Sequence, residues 1–178
     1  IETGTHLGLT SFRGSLFAKY VHTAEIESVF HEEAKSRCKE RENISFHLMS
    51  SDKMLLDIAS GKIPAEPPFV FWLDAHLGNS DLELAQQILR KELEVIKNNF
   101  NKDDIAALLI DDTSGLTMAP DLINIQDCME MLLDINPNFR ISSTFRGGEY
   151  KGPTPFDADV LFAYDADKFD MFLSRRRG

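Results

Sequence analysis

A chain of 178 residues with 43% hydrophobic content is long enough to bury the core of one globular domain. Its formal net charge of −10 argues against broad attachment to a nucleic acid backbone, which needs a basic surface. No apolar run is long enough to span a bilayer as a helix, so no membrane partner is expected.

The opening stretch, Ile1-Glu2-Thr3-Gly4-Thr5-His6-Leu7-Gly8, reads as the end of a strand and a tight glycine turn. An amphipathic helix, Leu9 to Tyr20, is expected to follow. Such a turn lets a nucleotide-like ligand approach bare backbone. Glycine turns also open many helices that hold no ligand, so the turn alone leaves both readings open. The chain begins at what looks like a strand's end, and the first strand is expected to lie largely upstream of Ile1. Tyr20 to Glu25 reads as a second strand ending in an acid, 21 positions after Gly4. That spacing suits a carboxylate that accepts hydrogen bonds from ribose hydroxyls. Ile26, Val29, Phe30 and Ala34 mark one face of a helix ending near Arg41.

Ile44 to Met49 is the third expected strand, and Ser50-Ser51-Asp52 is a cap-like cluster. It opens a helix through Met54, Leu55 and Ile58 that Gly61 closes. After the proline-rich loop Lys62 to Pro68, Phe69 to Leu73 is a continuous apolar run, typical of a strand buried on both faces, with Asp74 at its end. Ser80 and Glu83 make a capping-box pattern before a long helix carrying Leu82, Ile88, Leu89, Leu93 and Ile96. Ala106 to Ile110 is another buried strand, ending in Asp111-Asp112. Asp121 to Ile135 reads as helix, stopped by Asn136-Pro137. Phe139 to Thr144 and Asp159 to Tyr164 are the last strands, around a Gly/Pro-rich loop from Gly147 to Pro155. Arg175-Arg176-Arg177, the one basic cluster, reads as a solvated tail. Cys38 and Cys128 fit reduced, helix-borne cysteines and a cytoplasmic setting.

Strand and helix alternate throughout, which demands a mostly parallel sheet with helices on both faces. Ligands bind such sheets beyond the carboxyl ends of the strands. Glu2, Glu25, Asp74, His76, Asp111 and Asp112 all fall at or just past expected strand ends. Loops are polar in any case, but the placement of these residues directly behind apolar strands marks them as a candidate site.

Glu2-x-Gly4-x-x-x-Gly8, Glu25, Phe71-Trp72-Leu73-Asp74-Ala75-His76 and Leu109-Ile110-Asp111-Asp112 together resemble the class I S-adenosylmethionine (SAM)-dependent methyltransferases. The resemblance implies a single α/β domain with a Rossmann-like, doubly wound, mostly parallel sheet of seven strands, the last antiparallel. It places the cofactor on Glu2, Gly4, Thr5, Gly8 and Glu25, with Ser50, Ser51, Asp52 and Asp74 on its adenine side and beyond. Many members of the family have glycine where His6 stands, and this bulkier turn suits a cofactor without a pyrophosphate.

Within the class, an acid ending the fourth strand and an acid pair ending the fifth look like the metal-assisted sugar O-methyltransferases. By that likeness Asp74, Asp111 and Asp112 would hold Mg²⁺, which prefers oxygen ligands and lowers the pKa of a bound hydroxyl. His76 would take the proton, with Asp74 beside it as the second catalytic residue. The implied acceptor is a small-molecule hydroxyl, a sugar included, and a homo-oligomer is left open. A metal-free reading also stays open, as do an NAD-type oxidoreductase and an inactive methyltransferase-like interaction module.

Overall fold

The computed structural model describes residues 1–75, 82–113, 123–144 and 160–169. Seven strands form one sheet: β1 (Glu2–Thr3), β2 (Val21–Glu25), β3 (Ile44–Leu48), β4 (Phe69–Leu73), β5 (Ile105–Ile110), β6 (Arg140–Thr144) and β7 (Val160–Tyr164). Their order across the sheet is β3-β2-β1-β4-β5-β7-β6. β7 runs antiparallel to both β5 and β6, while the pairs from β3 to β5 are parallel. The doubly wound α/β architecture with one reversed strand is therefore the one expected.

The sheet reverses direction of growth at β1, since the chain moves outward to β2 and β3 and then returns to β4 on the other side. β1 pairs Glu2 with Thr23 and Trp72, and Thr3 with Ala24 and Leu73. The carboxyl ends of β1, β2 and β4 thus converge on one edge, where a switch point opens a crevice. At the opposite, amino-terminal edge lies a cavity of about 500 Å³ lined by Ile1, His22, Val70 and the Pro67-Pro68 pair among others. None of Glu2, Glu25, Asp74, Asp111 and Asp112 lines it, so its size does not make it the candidate site.

Five helices join the strands in the described residues: α1 (Leu9–Ser15), α2 (Ser28–Arg37), α3 (Ser51–Ala59), α4 (Leu82–Asn99) and α5 (Ile125–Ile135). The main core lies where α4 and α5 cover the sheet. Leu89, Leu93 and Ile96 of α4 and Leu132 of α5 meet Phe71, Leu73, Leu108 and Ile110 there. Apolar residues three and four apart on α4 form the stripe that the periodicity indicates. α5 begins in a reciprocal capping box between Asn124 and Asp127, later than the expected start at Asp121. Among the described residues, no helix is long and apolar enough to cross a membrane.

The other face differs from expectation in two places. α1 stops at Ser15 instead of reaching Tyr20. The Asn43 side-chain amide takes the carbonyls of Ser15 and Ala18, so the last turn is satisfied from outside the helix. On α2 the buried residues are His31 and Ala34, whereas Val29 is 73% and Ile26 70% exposed. Ile26 lies before the start of the helix, where the Glu25 carboxylate accepts the N–H groups of Ile26 and Glu27. The expected loop 147–155 and Ser80 lie outside the described residues.

Candidate functional site

The turn after β1 is wedged between the ends of two neighbours. Gly4 and Thr5 both donate their N–H to the Ala24 carbonyl at the end of β2 (3.1 and 3.0 Å). On the other side Gly4, with φ of 79°, sits so close to β4 that a Cβ would lie 2.5 Å from the Asp74 carbonyl oxygen. Gly8 faces away from this edge, toward α2, where a Cβ would meet Ala34 and Cys38 at 3.0 and 3.2 Å. Its role in the structure is therefore close packing of α2 against the turn.

Glu2 is buried and turned inward. Its Oε2 accepts from the hydroxyls of Ser11 and Thr23, and Thr23 in turn shares a 2.6 Å hydrogen bond with Thr5. Burial raises the Glu2 carboxyl above the ordinary range, while the two hydroxyls hold it down in part. Its other oxygen, Oε1, is buried without a hydrogen-bond partner. The Thr5 hydroxyl is likewise occupied by Thr23.

Glu25 occupies the strand end that the spacing indicates. Its Oε2 accepts the His6 N–H (2.8 Å), and its Oε1 accepts those of Ile26 and Glu27 (both 2.9 Å). One carboxylate thus ties the glycine turn to the β2–α2 junction. Past β3, Ser50 takes the N-cap position of α3 by backbone alone, with no side-chain cap. Ser51 is buried, and Asp52 forms a 2.6 Å ion pair with Lys91 of α4. Burial pushes the Asp52 carboxyl up, but Lys91 and the Ser50 hydroxyl together bring it below its usual value.

The acids of β4 and β5 do come together. Asp74 donates its N–H to the carbonyl and hydroxyl of Thr3 (both 3.1 Å), and Asp111 donates to the Leu73 carbonyl (3.0 Å). Asp111 is buried, and its carboxylate accepts the N–H of Asp112, which adopts the left-handed region at φ 51°. Burial, followed by repulsion from Asp111 and Asp112, raises Asp74 from the ordinary carboxylate range to about 7. Among the described residues, however, no group of three or more His, Cys, Asp or Glu side chains is arranged to hold a metal ion. The arrangement gives no support to the expected Mg²⁺ ligand set of Asp74, Asp111 and Asp112. His76 lies outside the described residues.

Two further features stand beside these residues. Glu92 of α4 is fully buried, and neither carboxyl oxygen closes a hydrogen bond. Burial raises its pKa to about 8, softened by the nearby Ser51 and Thr3 hydroxyls and reinforced by Asp52 and Asp74. The signal was present, because Glu92 falls on the same stripe as Leu89, Leu93 and Ile96. The second feature is the ring of His6, exposed above the turn and set edge-on against Phe30 at 4.7 Å between centroids.

Strand order and the reversed β7 are those of the Rossmann-like methyltransferase fold. No protein-family model matches the sequence, and no curated protein matches it. Solved structures do match. The chain is similar to an rRNA methylase from Streptococcus thermophilus, at a TM-score of 0.56 and 11% identity, covering 92% of this chain and 83% of that one. It is similar to magnesium protoporphyrin IX methyltransferase (ChlM) from Synechocystis PCC 6803 with bound SAM, at 0.54 and 13%, covering 92% and 67%. A third is SMU.1697c, a putative methyltransferase from Streptococcus mutans in complex with SAH, at 0.53 and 12%, covering 92% and 85%. At these identities the likeness is one of fold.

Proposed function

We propose that this chain is a SAM-dependent methyltransferase acting on the hydroxyl of a small molecule, a sugar among the candidates. The observation that carries the reading is the Glu25 carboxylate, fixed by three backbone N–H groups at the carboxyl edge of β2. A carboxylate has about four acceptor sites, so capacity remains for a ribose hydroxyl. Ile26, exposed directly after it, offers apolar surface to a flat base, and the unpartnered Oε1 of Glu2 leaves an acceptor beneath the turn. Gly4, Thr5 and Gly8 shape that turn, while Ser50, Ser51 and Asp52 border its adenine side. These features fit SAM.

Bound SAM supplies an electrophilic methyl group on a sulfonium. The chain's part is to hold the acceptor in line and remove its proton. Asp74, with a pKa of about 7, is placed to take that proton near neutral pH. Asp111 and Asp112 act here by keeping Asp74 basic. His76, two residues on, is the second candidate base.

Transfer of labelled methyl from SAM to a panel of small hydroxyl compounds, with RNA as a separate arm, tests the reading. Label in the small molecules supports it, and label in RNA alone overturns the acceptor class. SAM binding without transfer to anything would point to an inactive interaction module. Binding of NAD in place of SAM would point to an oxidoreductase.

A further inference from the structure

The turn holds three left-handed residues at alternate positions, Gly4, His6 and Gly8, with φ of 79°, 44° and 74°. Glycine adopts that conformation freely, whereas histidine strains against its own Cβ. A strained non-glycine residue in a binding turn points to a task for its side chain. Core packing is not that task, since His6 is exposed. Its N–H is committed to Glu25 Oε2 at 2.8 Å, so backbone and carboxylate fix where the ring stands. The ring in turn rests on Phe30, at an interplanar angle of 67°. Ile26 and Val29, on the same stretch of chain as Phe30, are mostly exposed.

Resting on the proposed SAM reading, we infer that His6 and Phe30 form an aromatic wall against the ligand held by Glu25, and that His6 selects a compact cofactor over a dinucleotide. Glycine at such a position lets backbone approach a diphosphate. An imidazole there fills that space and offers instead a polarisable face suited to the adenosyl or sulfonium part of SAM. The strain kept at His6 is then retained for binding, against the stability that glycine would supply.

The alternative is a purely structural staple in which His6 only docks α2. Calorimetric titration of SAM and of NAD into the wild type and the variants His6→Gly, His6→Asn and Phe30→Ala separates the two, together with melting curves. Asparagine tolerates the left-handed region but lacks the ring. Both His6 variants should bind SAM about tenfold more weakly. His6→Gly should at the same time hold its Tm or gain about 2–4 °C. Phe30→Ala should share the loss of affinity, and the preference for SAM over NAD should shrink in His6→Gly. SAM affinity within twofold of wild type in His6→Gly and His6→Asn would overturn the wall and leave the SAM reading standing. A lower Tm with unchanged affinity would establish the staple instead. Failure of the wild type to bind SAM would overturn both.

Discussion

Gly4 and Asp74 are packed backbone against backbone, so that one added methyl on Gly4 would stand 2.5 Å from the Asp74 carbonyl oxygen. The contact sets how near the turn after β1 comes to the end of β4, and so the width of the crevice. Gly4→Ala combines a left-handed alanine with a backbone overlap. It should cost about 2–5 kcal/mol in urea unfolding. Gly61→Ala is the control, because Gly61 has a similar φ of 76° but nothing within 4 Å of a Cβ. That variant should lose only about 1 kcal/mol.

Glu92 makes a prediction about pH. Its folded pKa of about 8 lies above its ordinary value of 4.5, so the folded state binds the extra proton. The Glu92 contribution is therefore most favourable below pH 4.5 and is lost as pH rises toward 8. Glu92→Gln removes this titration. The stability of the wild type relative to the variant should fall by on the order of 3–5 kcal/mol between pH 4.5 and 8. Urea midpoints of the two proteins across that range measure it, and parallel curves would refute it.

Glu25 should show a double phenotype. Glu25→Ala leaves the N–H groups of His6, Ile26 and Glu27 without their acceptor and removes the proposed ribose contact. We expect a stability loss of roughly 1–3 kcal/mol and a SAM affinity lower by at least tenfold. Glu25→Gln retains one acceptor oxygen and should fall between the two on both scales. Denaturation and calorimetry on the same preparations read the pair.

Asp74 as proton acceptor must be ionised, so methyl transfer should rise with pH through about 7 and level above it. Asp74→Asn should be slower by about 10²–10⁴ and lose that inflection. A variant that kept the inflection would transfer the role to another group, His76 first.

The sheet was legible because its strands are short apolar runs behind which acids stand, as at Leu73-Asp74 and Ile110-Asp111. The α4 stripe was legible from its helical spacing at Leu89, Leu93 and Ile96. The α2 face was not, because Ile26, Val29 and Phe30 carry helical spacing yet stand exposed, while His31 and Ala34 are the buried residues. Periodicity reports apolar residues and cannot say which are meant for a core. Strand-end placement located Glu2 and Glu25 correctly but not their orientation. Glu2 points inward to Ser11 and Thr23, and one Glu25 oxygen is held by the His6 N–H, contacts between residues 9 to 21 positions apart. Three nearby acids suggest a metal, and their repulsion is present at Asp74, but no group of metal-ligating side chains stands among the described residues to support it.

The most direct test is isothermal titration of SAM into the wild-type chain, with NAD titrated in parallel and Glu25→Ala as the third arm. We expect one SAM site per chain, weakened at least tenfold in Glu25→Ala, and no comparable binding of NAD. No heat from SAM at millimolar concentration, or tighter binding of NAD, would contradict it.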